Sequence, residues 1–167
     1  MVISALITVS VLAILIFVPV SALTVRLPRE DNRLVQASRV SPGDTLDVSY
    51  RHSVERTRVV GRFTIGRDQS LLATETRMTS VGTGLPNCEP DRTHREGEWI
   101  VVDEGNEKIP SIRFYFTTVN QTHLTVAGQP LDFDAVRSGN LLLIAVETPR
   151  LIQWGRWLVT GKMWPLS

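Results

Sequence analysis

Short segments in which apolar and polar residues alternate follow one another along most of the chain. Every second side chain in residues 46–51 is apolar, which is the period of a half-buried β-strand, and residues 59–65 are predicted to form its partner strand. Further strand-like segments occur at residues 34–40, 71–78, 99–102, 111–117, 123–127 and 140–147. Clusters of turn-forming residues separate these segments, and no long helical period lies between them. The pattern predicts an all-β domain of about seven or eight strands, folded as an antiparallel sandwich or a small barrel.

The N-terminal segment has a different pattern. Residues 1–25 carry no charged side chain, and Ile3–Val20 is almost continuously apolar. At a helical rise of about 1.5 Å per residue, this segment is long enough to cross a bilayer core of roughly 30 Å. We therefore predict an N-terminal transmembrane helix in residues 1–25, which contacts the lipid bilayer, and a single β domain in residues 26–167. A signal peptide cleaved after Ala22 remains the alternative.

Four arginines follow the apolar segment, and no lysine or arginine precedes it. They are Arg26, Arg29, Arg33 and Arg39. By the positive-inside rule, this distribution places the β domain in the cytoplasm.

The C-terminal tail, residues 149–167, has the spacing of a short amphipathic helix. Leu151, Trp154 and Leu158 recur at intervals of three and four residues. Trp154, Trp157 and Trp164 lie near arginine and lysine residues, a composition that is common at membrane interfaces. Packing of the helix over the β domain explains the same pattern, so both interpretations stay open.

Composition excludes several classes of function. The net charge is +1 and the basic residues are scattered, so the sequence carries no nucleic-acid signature. Cys88 is the single cysteine, which excludes an internal disulfide and a cysteine-rich zinc site. No motif predicts a cofactor.

The turn after residue 51 carries the densest set of reactive side chains, His52, Ser53 and Glu55. A hydrolase would need a serine and a base within hydrogen-bond reach, but adjacent strand residues point to opposite faces. No nucleophile-elbow motif is present either. A metal site is the stronger chemical alternative, with His52, His94, His123 and Cys88 as its ligands. These residues lack ligand spacing, so distant segments would have to converge.

A second candidate segment is the long stretch between residues 80 and 98, which has no strand pattern. Gly82 and Gly84 permit close backbone approach to a ligand, and Pro86 follows them. Long loops in compact domains are often functional.

The two segments together resemble an uncharacterised family, domain of unknown function 1850. In that family a His-Ser-Val-Glu element follows a Gly-Asp turn, and a glycine-rich loop comes about thirty residues later. Here residues 42–55 and 82–86 fill these places, and the resemblance spans roughly residues 37–146. The family often has an acidic residue on the partner strand, where this chain has Gly61 or Arg62. A site that used this carboxylate would be altered here.

The resemblance implies an extracytoplasmic domain, because the family's members carry an export or anchor segment. They are often encoded beside membrane subunits of TAXI-type tripartite (TRAP) transporters. We therefore expect a single-pass membrane protein whose extracytoplasmic domain is a binding or accessory module, and we favour this over an enzyme. Its partners would be transporter subunits or a small solute. The expected binding residues are His52, Ser53, Glu55, Gly82, Gly84 and Pro86, with the turn and the glycine loop close together.

Overall fold

The computed structural model describes residues 18–52, 54, 56–81, 89–134 and 136–160, together with residues 7 and 10. Residues 18–160 of this set form two antiparallel β-sheets and one α-helix, α1 (Leu151–Val159), and residues 7 and 10 are helical. The strands are β1 (Ala22–Leu27), β2 (Arg33–Arg39), β3 (Thr45–Arg51), β4 (Arg58–Ile65), β5 (Leu71–Met78), β6 (Thr93–Glu96), β7 (Trp99–Ile109), β8 (Ile112–Tyr115), β9 (His123–Val126), β10 (Gln129–Pro130) and β11 (Leu141–Glu147). A 3-10 turn at Pro90–Arg92 precedes β6.

The strands divide unequally between the sheets. The smaller sheet has the order β2-β1-β11-β8, and the larger sheet has the order β10-β9-β3-β4-β5-β7-β6. The main hydrophobic core lies between them, because alternate residues of strands from both sheets point inward. Its central members are Leu23, Val25, Leu142 and Ile144 from the smaller sheet, and Leu46, Val48, Leu124 and Val126 from the larger sheet.

The β-sandwich prediction is confirmed, but the described residues form eleven strands instead of seven or eight. The alternating segments at β3, β4 and β5 lie where the pattern placed them. The additional strands are β1, β6 and β10. Two of these, β6 and β10, are short edge strands with mostly exposed residues, so their sequences lack a hydrophobic alternation.

The predicted N-terminal transmembrane helix requires a correction. Residues 22–25, its C-terminal part, belong to β1, which is buried almost throughout. Across the described residues, no helix has the length and apolar character needed to cross a bilayer. Most of the predicted Ile3–Val20 span, at residues 3–6, 8, 9 and 11–17, lies outside the described residues.

The physical reason for the error at β1 is its burial on both faces. Leu23 and Val25 face the core between the sheets, while Ala22 packs under α1. A strand buried on both faces is continuously apolar, and periodicity cannot distinguish it from a buried helical segment.

The C-terminal helix α1 covers the outer face of the smaller sheet. Trp154 is buried there in a cluster with Ala22, Leu34 and Ala37. The preceding chain is held by Val20, whose backbone N–H donates to the carbonyl oxygen of Pro149 at 2.9 Å. Packing against the sheet therefore accounts for Trp154, while Trp164 lies outside the described residues.

A bidentate ion pair lies on the same face of the smaller sheet. Arg26 of β1 donates from Nε and Nη2 to the two carboxylate oxygens of Glu147 in β11, at 2.7 and 2.8 Å. The Arg26 guanidinium also lies 5.8 Å from the ring centre of Trp157 in α1. The hydrogen bonds from Arg26 hold the pKa of Glu147 below its ordinary value of 4.5. This pair connects the N-terminal strand, the last strand and the helix.

We predict that Glu147→Gln lowers the free energy of unfolding by about 1–2 kcal/mol at neutral pH, since the pair is partly buried. Because the folded-state pKa of Glu147 lies below 4.5, its contribution is present above that pH and is lost as the pH falls through the folded-state pKa. Urea unfolding at pH 7 and at pH 3 measures both effects. The deficit of the variant should shrink at pH 3. The matched control is Glu107→Gln, at an exposed position of β7, and a similar loss there would contradict the assignment.

Candidate functional site

The candidate site is built on the hairpin of β3 and β4. These strands pair in register from Thr45 opposite Thr64 to Arg51 opposite Arg58. The turn between them is closed by two backbone hydrogen bonds. The N–H of His52 donates to the carbonyl oxygen of Thr57 at 2.8 Å, and the N–H of Arg56 donates to that of His52 at 2.9 Å. The sequence-predicted hairpin is therefore confirmed.

Arg56 has an unusual backbone conformation within this turn. Its φ is +54°, in the left-handed region. For a residue with a Cβ atom this conformation costs about 1–2 kcal/mol. Such strain persists only where the surrounding structure imposes it, and it is frequent at functional sites.

His52 lines a cleft of about 290 Å³ at the end of the hairpin. The other lining residues are Arg51, Arg56, Val119 and Asn120. The backbone N–H of Arg51 donates to the carbonyl oxygen of Asn120 at 2.7 Å, so the loop before β9 is fixed against the hairpin. The predicted site residue His52 therefore lies in a concave, polar region.

The other predicted binding residues cannot be placed. Ser53 and Glu55 lie outside the described residues, and so do Gly82, Gly84, Pro86 and Cys88. The expected approach of the glycine loop to the turn stays a prediction. The stretch of residues 80–98 was predicted to have no strand. Its C-terminal part instead forms β6, which pairs with β7.

The structure does not bring the three histidines together. His123 lies in β9 and His94 in β6, with β3, β4, β5 and β7 between them. Five strand spacings of about 4.8 Å put these two strands roughly 24 Å apart, too far for one metal ion. Among the described residues, no three histidine, cysteine, aspartate or glutamate side chains form a group that could hold a metal. His94 and His123 therefore cannot bind the same ion, and Cys88, the fourth proposed ligand, lies outside the described residues.

A larger cleft, of about 540 Å³, lies on the outer face of the larger sheet beside the hairpin. Its charged lining residues are Arg51, Arg56, Arg58 and Glu98, and His123 also lines it. Sequence reasoning missed these arginines, because it treated the basic residues as scattered. The sequence contains a signal that could have identified them. Arg51 and Arg58 flank the predicted turn, so they are expected to lie opposite each other in the hairpin.

Most other charges on this face are paired. A chain of ion pairs crosses the sheet from β3 to β6, with N–O distances between 2.7 and 3.0 Å. Its members, in order, are Asp47, Arg62, Glu75, Arg77 and Glu96, and His94 is hydrogen-bonded to Glu96 at 3.1 Å. At its end, the hydrogen bond from His94 and the charge of Arg77 lower the pKa of Glu96.

The family model of the Domain of unknown function (DUF1850) matches residues 46–133, which is just over half of the chain. The chain belongs to this family. The match begins in β3 and includes the hairpin, His52 and every charged residue of the larger cleft. Comparison with curated proteins and with solved structures gives no match.

We predict that Arg56→Gly raises the free energy of unfolding by up to about 1 kcal/mol. Glycine removes the left-handed strain at φ +54°, and its larger entropy in the unfolded state offsets part of the gain. Urea unfolding of the variant and the unchanged protein measures the difference.

The control is Arg67→Gly, at an exposed turn position whose φ is not positive. There glycine should lower stability by about 0.5–1 kcal/mol. If both changes lowered stability equally, Arg56 would not be strained.

Proposed function

We propose that this chain is an extracytoplasmic recognition module that serves a TAXI-type tripartite transporter by binding a small solute at the β3–β4 hairpin. The observation that carries the proposal is the pair of clefts at the end of this hairpin, which share Arg51 and Arg56. The hairpin belongs to the larger sheet and is anchored by Leu46 and Val48 in the core. Binding sites are commonly formed by loops that a rigid sheet positions in this way.

Recognition fits the hairpin better than hydrolysis does. Small-molecule sites are concave and have a few convergent polar groups, which both clefts provide. A hydrolase would require a nucleophile beside its base. Ser53 and Glu55, which would act with His52, lie outside the described residues.

The fold offers another explanation for the arginines that counted against an extracytoplasmic location. Three of the four arginines that follow the apolar segment make contacts within the β domain. Arg26 pairs with Glu147, Arg33 with Glu30, and Arg29 donates to the hydroxyl of Tyr115 at 2.9 Å. Because the fold itself uses these residues, their number is weaker evidence for a cytoplasmic location.

The proposed location predicts that protease added to intact spheroplasts digests the domain. A cytoplasmic marker protein should survive the same treatment, and lysis should then expose it. Immunoblotting of both proteins measures the result. Protection of the domain until lysis would place it in the cytoplasm and contradict the proposal.

The proposed role predicts that His52→Ala abolishes co-purification with the transporter's membrane subunits or uptake of its solute. Folding should be nearly unchanged, within about 0.5 kcal/mol, as is usual for substitutions outside a core. The matched control is His94→Ala, on β6 at the far edge of the larger sheet.

A structural role for His52 gives a different pattern. Loss of a needed hydrogen bond would lower the free energy of unfolding by roughly 1–3 kcal/mol, and association would fall only in proportion to the folded fraction. Thermal melts of the same samples distinguish the two results.

A further inference from the structure

Three arginines that line the larger cleft have no acidic partner among the residues that the structure describes. Among the described residues, no carboxylate lies within ion-pair distance of Arg51, Arg56 or Arg58. Arg62 and Arg77, on the same face of the sheet, are each bound to carboxylates. The positive charge of this face is therefore concentrated in the cleft.

Two of the unpaired arginines also occupy directly opposed positions. Arg51 and Arg58 are cross-strand partners in the register of β3 and β4. Like charges in this arrangement repel each other and destabilise a sheet. Together with the strained Arg56, they make the hairpin end less stable than an ordinary turn, which a bound anion would offset.

The contacts that orient Arg51 and Arg58 leave most of their N–H donors available. Arg51 donates from Nε to the carbonyl oxygen of Arg56 at 3.0 Å, which leaves its terminal nitrogens available. The guanidinium of Arg58 lies 5.1 Å from the ring centre of Trp99. An arginine over a ring uses its planar face, so the N–H groups at its edge can still bind an oxyanion.

The charge and the size of the cleft indicate the ligand class. Three arginines against Glu98 give a formal charge of +2, with His123 counted as neutral. The volume of about 540 Å³ lies within the range of about 300–1,000 Å³ that is usual for small-molecule sites. The whole chain has a net charge of only +1, and the neighbouring ion pairs alternate in sign, so an extended polyanion finds no continuous positive track.

We propose that the cleft lined by Arg51, Arg56 and Arg58 binds a small organic dianion, through charge-assisted hydrogen bonds from the guanidinium groups to its carboxylate or phosphate oxygens. This inference rests on the proposed recognition function and names its ligand class. Dicarboxylates and phosphate monoesters share the chemistry, because guanidinium groups can bind both in a bidentate manner.

Calorimetric titration of the full chain with succinate, glycerol phosphate and neutral succinamide tests the proposal. We expect one of the dianions to bind, with an affinity that falls as salt is raised, and succinamide to bind at least about tenfold more weakly. The preferred dianion identifies the source as carboxylate or phosphate. Equal binding of succinate and succinamide, or binding of none of the three, would overturn the proposal.

Two cleft variants, one conservative variant and one control localise the binding. Arg58→Ala and Arg56→Gly should each weaken dianion binding at least about tenfold, and Arg58→Lys should retain part of it because the charge remains. Arg39→Ala, at an exposed position of β2 in the other sheet, should bind as the unchanged protein does. Since Arg56→Gly is expected to be at least as stable as the unchanged protein, unfolding would not explain its loss of binding. Unchanged affinity in both cleft variants would overturn the assignment.

The outcomes also separate this inference from the proposed function. Solute uptake or subunit association that depends on His52 but not on Arg56 and Arg58 would overturn the anion assignment and leave the recognition function in place. Arginine-dependent dianion binding without any association or uptake would support the anion site and contradict the transporter role.

Discussion

The packing of β3 against the core determines where the β3 side chains of the candidate site point. Leu46 and Val48 are directed between the two sheets, so the alternation of the strand directs Ser49 and Arg51 to the outer face. A shift of one residue would bury Arg51 and expose the core residues. Hydrophobic burial therefore fixes the register of β3 with β4, and this register aligns Arg51 with Arg58 at the turn.

The sequence predicts the fold well where a strand has one buried and one exposed face. This is the case for β3, β4 and β5, where alternation is clear. It fails at β1, because α1 covers one face of that strand and the core covers the other, so the segment lacks a polar face. It also fails at β6, whose few residues are mostly exposed and whose pairing with β7 leaves no hydrophobic pattern.

The hairpin was predictable from the sequence, but the arrangement of charges at its end was not. Alternation and turn residues locate the hairpin and His52, but composition describes the arginines as scattered. Whether an arginine is neutralised depends on its cross-strand neighbours, which the sequence does not give. Arg62 lies opposite Asp47 and is paired, while Arg58 lies opposite another arginine. The register thus separates a structural arginine from one that is available to a ligand.

Among the described residues, the outer face of the larger sheet therefore has one region of paired charges and one of unpaired positive charges. Across β3 to β6, alternating charges satisfy one another and offer little to a ligand. At the hairpin end, opposed arginines and a left-handed Arg56 reduce stability, and no carboxylate among the described residues pairs with them. Neither feature stabilises the fold, since a carboxylate opposite Arg51 or a glycine at position 56 would improve it. Their combination in one cleft is understandable if the missing negative charge is supplied by a bound molecule.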